Sequence, residues 1–306
     1  MSRNTVGPRG SGRRIVAAAA VLVPILALAA ASALRAAPEP PRPTIPGKFV
    51  WFDLLTTDPP AAEKFYGGLF GWTFEVQKTR ENPYKVARLG GTPIAGMVDV
   101  SALKKEVPDS TWLSYASVSD VDKAAAGIKG LKGKVLREPA EVGTYARAAV
   151  VADPQGALLG LVKLAKGDPP DGGQGPEGTF LWMEYVAEDA PGALAFYKDA
   201  LGYDVNRLDA VTAVEYFVLK TGGISRAGLY ASPWKEVKSN WLPNIRVADA
   251  VAAARKVESL GGRVLLAPKP EIRNGTLAIV ADPSGAAVAL QQWPIPEPAK
   301  SGGTRP

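Results

Sequence analysis

The sequence predicts an α+β protein built from two similar domains, on three observations. The first is an internal repeat: Phe49-Val50-Trp51-Phe52-Asp53, Asp58, Phe65-Tyr66 and Gly71-Trp72 return as Phe180-Leu181-Trp182-Met183-Glu184, Asp189, Phe196-Tyr197 and Gly202-Tyr203. The second is its continuation, in which Trp112-Leu113, Asp120, Gly133 and Asp153-Pro154-Gln155-Gly156-Ala157 return as Trp241-Leu242, Asp249, Gly262 and Asp282-Pro283-Ser284-Gly285-Ala286. The spacing is 131 residues early (180 less 49) and 129 late (282 less 153), so a small indel separates two matched copies. A period this long marks a domain pair rather than a short-repeat solenoid. The third observation is the order of apolar strands and capped helices, which reads βαβββ twice per domain and four times in the chain.

Residues 1–34 read as an export signal: arginines up to Arg13-Arg14, an apolar run from Ile15 to Leu34, and the small residues Ala31-Ser32-Ala33 before a cleavage point after Ala33. The 20-residue run is also long enough to span a bilayer, so an uncleaved anchor over 15–34 is the rival reading. Either way the expected location is outside the cytoplasm, periplasmic or extracellular. Five prolines in 35–47 favour an extended spacer. In the first domain, 48–165, Val50 to Leu55 reads as a strand. Asp58 caps a helix with Pro59 at its first position, and Ala62, Phe65, Tyr66 and Leu69 share one face as far as Gly71. Tyr84 to Leu89 and Pro93 to Val100 form a hairpin about Gly90-Gly91, and a second round begins with the strand Trp112 to Val118 and the Asp120-capped helix to Gly130. Strands around Val135, over Ala146 to Ala152 and over Ala157 to Lys163 complete it. A Gly/Pro/Asp-rich linker at 166–178, expected to be mobile, precedes the second domain, 179–294. Residues 295–306 read as a disordered tail.

Composition narrows the chemistry. The 306 residues carry 36 Lys+Arg against 30 Asp+Glu. Setting aside Arg3, Arg9, Arg13 and Arg14 in the leader leaves 32 against 30, which lacks the basic footprint of a nucleic-acid binder. There is no cysteine and no histidine, which removes disulfides, thiolate nucleophiles, the commonest metal ligand and the usual neutral-pH acid/base group.

In its ordered set of features the sequence resembles the vicinal oxygen chelate superfamily of glyoxalases, extradiol dioxygenases and bleomycin or fosfomycin resistance proteins, in a tandem-domain glyoxalase-like branch. The carriers are the strand-then-Asp starts (Trp51 to Asp58; Trp182 to Asp189), the Phe-Tyr helices ending at Gly71-Trp72 and Gly202-Tyr203, and the Asp-Pro-x-Gly hairpins. The resemblance implies that each pair of βαβββ modules forms a cupped mixed sheet, where metal-dependent members hold one divalent ion. By motif position their ligands fall on Trp51, Leu113, Gly160 and Ala95 or Gly96, and in the second domain on Trp182, Leu242, Ala289 and Ala227 or Gly228. None of these can chelate through its side chain, so no metal and no cofactor is expected.

Strand alternation then supplies candidate ligand-binding residues on the cup faces: Trp51, Asp53 and Tyr115 in the first domain, and Trp182, Glu184, Asn244, Arg246 and Gln291 in the second. Glu184 is expected to pair with Arg246. The leading expectation is an exported protein that binds a small organic molecule without metal. One rival is a metal-independent isomerase, lyase or hydroxylase-like enzyme with Glu184 or Asp53 as base; another is a structural or interaction protein whose cups are plugged by tryptophan. The Asp-Pro-x-Gly segments read as turns with no catalytic role.

Overall fold

A computed structural model describes residues 41–77, 84–103, 110–208 and 214–295. The export segment 1–34, the start of the spacer and the tail from 296 lie outside the described residues. Among those described, no helix is long and apolar enough to cross a membrane.

The first domain runs β1 (Phe49–Thr56), α1 (Pro59–Phe70), β2 (Thr73–Gln77), β3 (Tyr84–Leu89), β4 (Thr92–Asp99), then β5 (Thr111–Ser117), α2 (Val121–Gly130), β6 (Lys134–Val142), β7 (Ala146–Ala152) and β8 (Leu158–Leu164). Its eight strands form one sheet in the order β2-β3-β4-β1-β5-β8-β7-β6. The second domain repeats this as β9 (Phe180–Ala187), α3 (Ala190–Leu201), β10 (Asp204–Leu208), β11 (Tyr216–Thr221), β12 (Ile224–Ala231), β13 (Asn240–Val247), α4 (Ala250–Ser259), β14 (Arg263–Leu266), β15 (Leu277–Ala281) and β16 (Ala287–Gln292). Its sheet order is β10-β11-β12-β9-β13-β16-β15-β14. The first strands of consecutive modules meet antiparallel at each sheet centre, β1 on β5 and β9 on β13, while β1 pairs β4 and β13 pairs β16 in parallel. The four-module architecture read from the repeat is therefore the observed one. The edge strands β2 and β10 gave no individual signal, because both are largely exposed and lack a buried face to impose alternation.

Local chemistry sets the helix ends. Asp58, Asp120, Asp189 and Asp249 each accept a backbone N–H of the first turn, and Gly71 and Gly202 end α1 and α3 in the left-handed region that glycine tolerates without strain.

The central strands are buried on both faces. Phe52 and Leu54 on the convex side join a core shared by the two domains, whereas Trp51, Leu113 and Tyr115 on the concave side join a separate cluster in the first cup. The shared core holds a Phe52–Phe180 stack with ring centroids 3.7 Å apart, and α1 touches α4 while α2 touches α3 around it. The Asp-Pro-x-Gly hairpins reach across this junction reciprocally. Asp153 Oδ2 accepts the Tyr185 hydroxyl at 2.5 Å and the Tyr197 hydroxyl at 2.9 Å, and Asp282 Oδ2 accepts that of Tyr66 at 3.3 Å. These turns are domain clamps as well as turns.

The linker expected to be mobile is pinned. Asp168 is buried and accepts Ile45 N–H at 2.6 Å, Lys48 Nζ donates to the Pro169 and Pro170 carbonyls, and Arg226 and Lys48 both pair with Asp171. The end of the proline-rich spacer is likewise packed rather than free, since Arg42 N–H donates to Lys166 O and Pro43 O accepts Asp168 N–H. Polar side chains at 48, 168 and 171 override the local Pro/Gly signal.

Candidate functional site

The two cups share a plan and differ in what fills them. In the first, Asp53 is fully buried at the sheet centre. Its Oδ1 accepts Tyr84 O–H at 2.6 Å and Trp51 Nε1–H at 2.9 Å, its Oδ2 accepts Tyr115 O–H at 3.0 Å, and Trp51 Nε1 also lies 3.0 Å from the Tyr84 oxygen. Burial pushes the Asp53 carboxyl up from its ordinary 3.8 to about 6, against the lowering effect of these three donors. Burial and the neighbouring carboxylate hold the Tyr84 and Tyr115 hydroxyls well above 10, so both stay protonated and donate.

This knot occupies the space where family ligands would stand. A Cβ added to Gly96 would lie 1.8 Å from the Tyr84 oxygen and 2.2 Å from Asp53 Oδ1, and one added to Gly160 would lie 2.1 Å from the Tyr115 ring. A metal-ligating side chain does not fit at either position. The unpartnered buried groups linked to this cup are Arg137 Nη1, whose charge acts on Tyr115, and Ser117 Oγ, two residues along β5.

The second cup keeps the Trp, carboxylate and Tyr of the first but arranges them more openly. Trp182 Nε1 donates to the Tyr216 oxygen at 3.1 Å, and Tyr216 O–H donates to Glu184 Oε1 at 3.2 Å. Glu184, only 3% exposed, is paired through the same oxygen with Arg273, not with Arg246 as strand parity suggested. Arg273 Nη1 also donates to Gln291 Oε1 at 2.9 Å, and Gln291 Nε2 is tied back to Thr276. Burial works against the charge on Arg273, but Glu184 more than offsets it and raises the guanidinium above its ordinary value. Arg273 and Asn274 both sit at positive φ, a strained backbone for residues with side chains, at the short turn before β15 that carries the guanidinium over the Tyr216 ring.

Arg246 lies at the far end of β13, where Nη1 donates to Gly175 O at 2.8 Å. There it lines two shallow grooves at the domain junction, one of 220 Å³ beside Phe70, Gly178 and Lys256 and the other beside Leu89 and Pro176. The grooves gather surface residues of α4 and the linker; the second cup gathers buried polar groups, and there the chemistry is concentrated.

Two acceptors on that cup face lack a partner. Glu184 Oε2 and Asn244 Oδ1 are buried and receive no hydrogen bond. Asn244 Nδ2 lies 3.4 Å from Leu242 O, and turning the amide over would set two acceptors against each other, which favours this orientation of the oxygen. No cluster of three or more Asp or Glu able to hold a metal occurs among the described residues. The space above Gly228, another family ligand position, holds the Tyr216 oxygen 1.8 Å and Glu184 Oε2 2.9 Å from where a Cβ would stand. Among the described residues, each cup offers a single carboxylate, fewer oxygen donors than a dedicated divalent site gathers.

Residues 48–161 match the family model of the glyoxalase/bleomycin resistance protein/dioxygenase superfamily, and residues 182–290 match that of a glyoxalase-like domain. The provisionally named glyoxylase CFP32 of Mycobacterium tuberculosis is 30% identical over 254 residues, covering 81% of this chain and 95% of that protein. The chain belongs to this superfamily. The anthracycline biosynthesis protein DnrV of Streptomyces peucetius is 29% identical over 276 residues, covering 84% of this chain and 98% of that one. Among solved structures, a Mn(II)-bound glyoxalase from Novosphingobium aromaticivorans aligns at TM-score 0.54 with 16% identity over 81% of this chain and 83% of its own. The 2,2',3-trihydroxybiphenyl 1,2-dioxygenase of Sphingomonas wittichii aligns at 0.52 with 16% identity, over 81% and 91%. These structural likenesses show the fold alone.

Of the residues singled out from the sequence, the structure joins Trp51, Asp53 and Tyr115 in one knot and Trp182, Glu184 and Gln291 in one network, with Asn244 on the same face and Arg246 apart. Sequence reasoning missed Tyr84, Tyr216 and Arg273. The two tyrosines left a trace in the repeat, standing 132 residues apart like Gly96 and Gly228 (216 less 84; 228 less 96). Arg273 left none, because the first copy has Thr144 at the matching offset of 129.

Proposed function

We propose that this superfamily member is an exported binder of a small organic molecule, that the second cup is its binding site, and that no divalent metal takes part. The single observation that carries the reading is the contrast between the cups. Asp53 is saturated by Trp51, Tyr84 and Tyr115, while Glu184 Oε2 and Asn244 Oδ1 remain buried without donors. A buried acceptor left unmatched costs roughly 1–3 kcal/mol, and a ligand that satisfies it recovers that cost. Relatives named for glyoxylase function and for anthracycline biosynthesis support a small organic partner. Export rests on the basic leader, the apolar run 15–34 and the Ala31-Ser32-Ala33 sequence.

Native mass spectrometry of the full chain recovered from its host is the test. A small-molecule adduct is expected on the wild type and on Asp53→Asn, and not on Asn244→Leu. An adduct equally retained in Asn244→Leu, or none on any form, would refute binding in the second cup.

A further inference from the structure

We infer that the ligand of the second cup is an uncharged molecule that donates two hydrogen bonds, from hydroxyl or amide groups, on an aromatic or apolar body. This deepens the proposed function and rests on it. Three features of the cup define the class.

The two unmatched atoms beside Trp182, Glu184 Oε2 and Asn244 Oδ1, are acceptors, so the complementary groups are O–H or N–H; the unmatched donor of this domain, Arg246 Nε, lies apart at the far end of β13. A ligand carboxylate or phosphate would set lone pairs against lone pairs. Leu242 on β13 lies opposite Glu184, and Asn244 opposite Trp182, which places the two acceptors on neighbouring strands of one face.

The charge of the floor is already balanced. Arg273 compensates Glu184 through Oε1, with Tyr216 donating to the same oxygen, and Gln291 holds the guanidinium from its other side. A cationic ligand would leave a second positive charge beside Arg273, and an anionic one a second negative charge beside Glu184, each uncompensated in a poorly solvated site. The strained turn at Arg273 and Asn274 fixes the guanidinium in this role, making Arg273 the residue that decides against charged ligands.

The remaining wall is apolar or aromatic. Tyr216 and Tyr230 lie nearly parallel with centroids 6.2 Å apart, both partly exposed, while Leu242 and Ala289 are buried. The two partly exposed rings suit a body that stacks on them, and because both acceptors are closed off from solvent, its donors reach them as the Tyr216 ring, which donates to Glu184, shifts aside.

The test is calorimetric titration of the full chain with four benzene derivatives: resorcinol (uncharged, two O–H), 1,3-dimethoxybenzene (the same ring without donors), benzylamine (cationic) and benzoate (anionic). Resorcinol is expected to bind about tenfold or more tightly than each of the others, and Asn244→Leu and Glu184→Gln each to weaken it about tenfold, as loss or reversal of one acceptor requires. If Glu184→Gln does not fold, Asn244→Leu, which removes no charge, carries the test alone. Equal binding of dimethoxybenzene, or tighter Asn244-dependent binding of benzylamine or benzoate, would overturn the ligand class and leave the second cup as a binding site. Failure of all four probes overturns the class too; the parent reading falls separately, on the mass-spectrometric outcomes given for it above.

Discussion

Replacing Asp53 by Asn should abolish a specific pH dependence of stability. In the folded chain burial raises the Asp53 carboxyl from 3.8 to about 6, so the native state holds this proton more tightly than the unfolded chain does. At about 1.36 kcal/mol per pKa unit the difference is worth about 3 kcal/mol. The sign follows from proton counting: between the two pKa values the native state binds more protons. The contribution is therefore fully present below pH ~4, is lost as pH rises through ~6, and is absent at neutrality. Asn keeps an acceptor oxygen for the Trp51 and Tyr donors, and hydroxyls can rotate to meet its amide, so the variant retains the shape of the knot without the titration. Urea unfolding of both proteins at intervals from pH 4 to 7.5 measures it. The stability of wild type minus that of Asp53→Asn should fall by about 2–3 kcal/mol across this range. A difference that stays constant with pH, or rises, would refute the picture of a desolvated carboxyl in a closed first cup.

Two further outcomes follow from the packing. Arg273→Met leaves the Glu184 carboxylate buried without its cation and should cost about 3–5 kcal/mol, most of it recovered when Glu184→Gln is added, a double-mutant cycle readable by denaturant unfolding. Phe52→Ala removes one ring of the stack across the domain junction and should cost about 3–5 kcal/mol; calorimetry should show that loss on the whole chain, because the two domains share one core.

The duplication, the element order and the capped helices were legible in the residues alone. These signals are local: an Asp before an apolar helical face, a glycine at a helix exit and a Pro-Gly hairpin act within a few residues, and the two copies confirm each other. Equally legible was the occupation of the family's metal-ligand positions by tryptophan, leucine, glycine and alanine, since residue identity alone settles what a side chain can donate. Strand parity placed Trp51, Asp53 and Tyr115 on one face for the same reason, period two being a backbone property. What each cup contains came from long-range packing. Tyr84 reaches Asp53 across 31 residues and Arg273 reaches Glu184 across 89, and no periodicity encodes which distant cation or hydroxyl meets a buried carboxylate. Arg246 shares its register with Gln291, but its guanidinium turns away to Gly175 O. The pinned linker and the clasped hairpins belong to the same class of fact: Asp153, Asp168 and Asp282 read as turn and linker residues until a second chain segment supplies their donors.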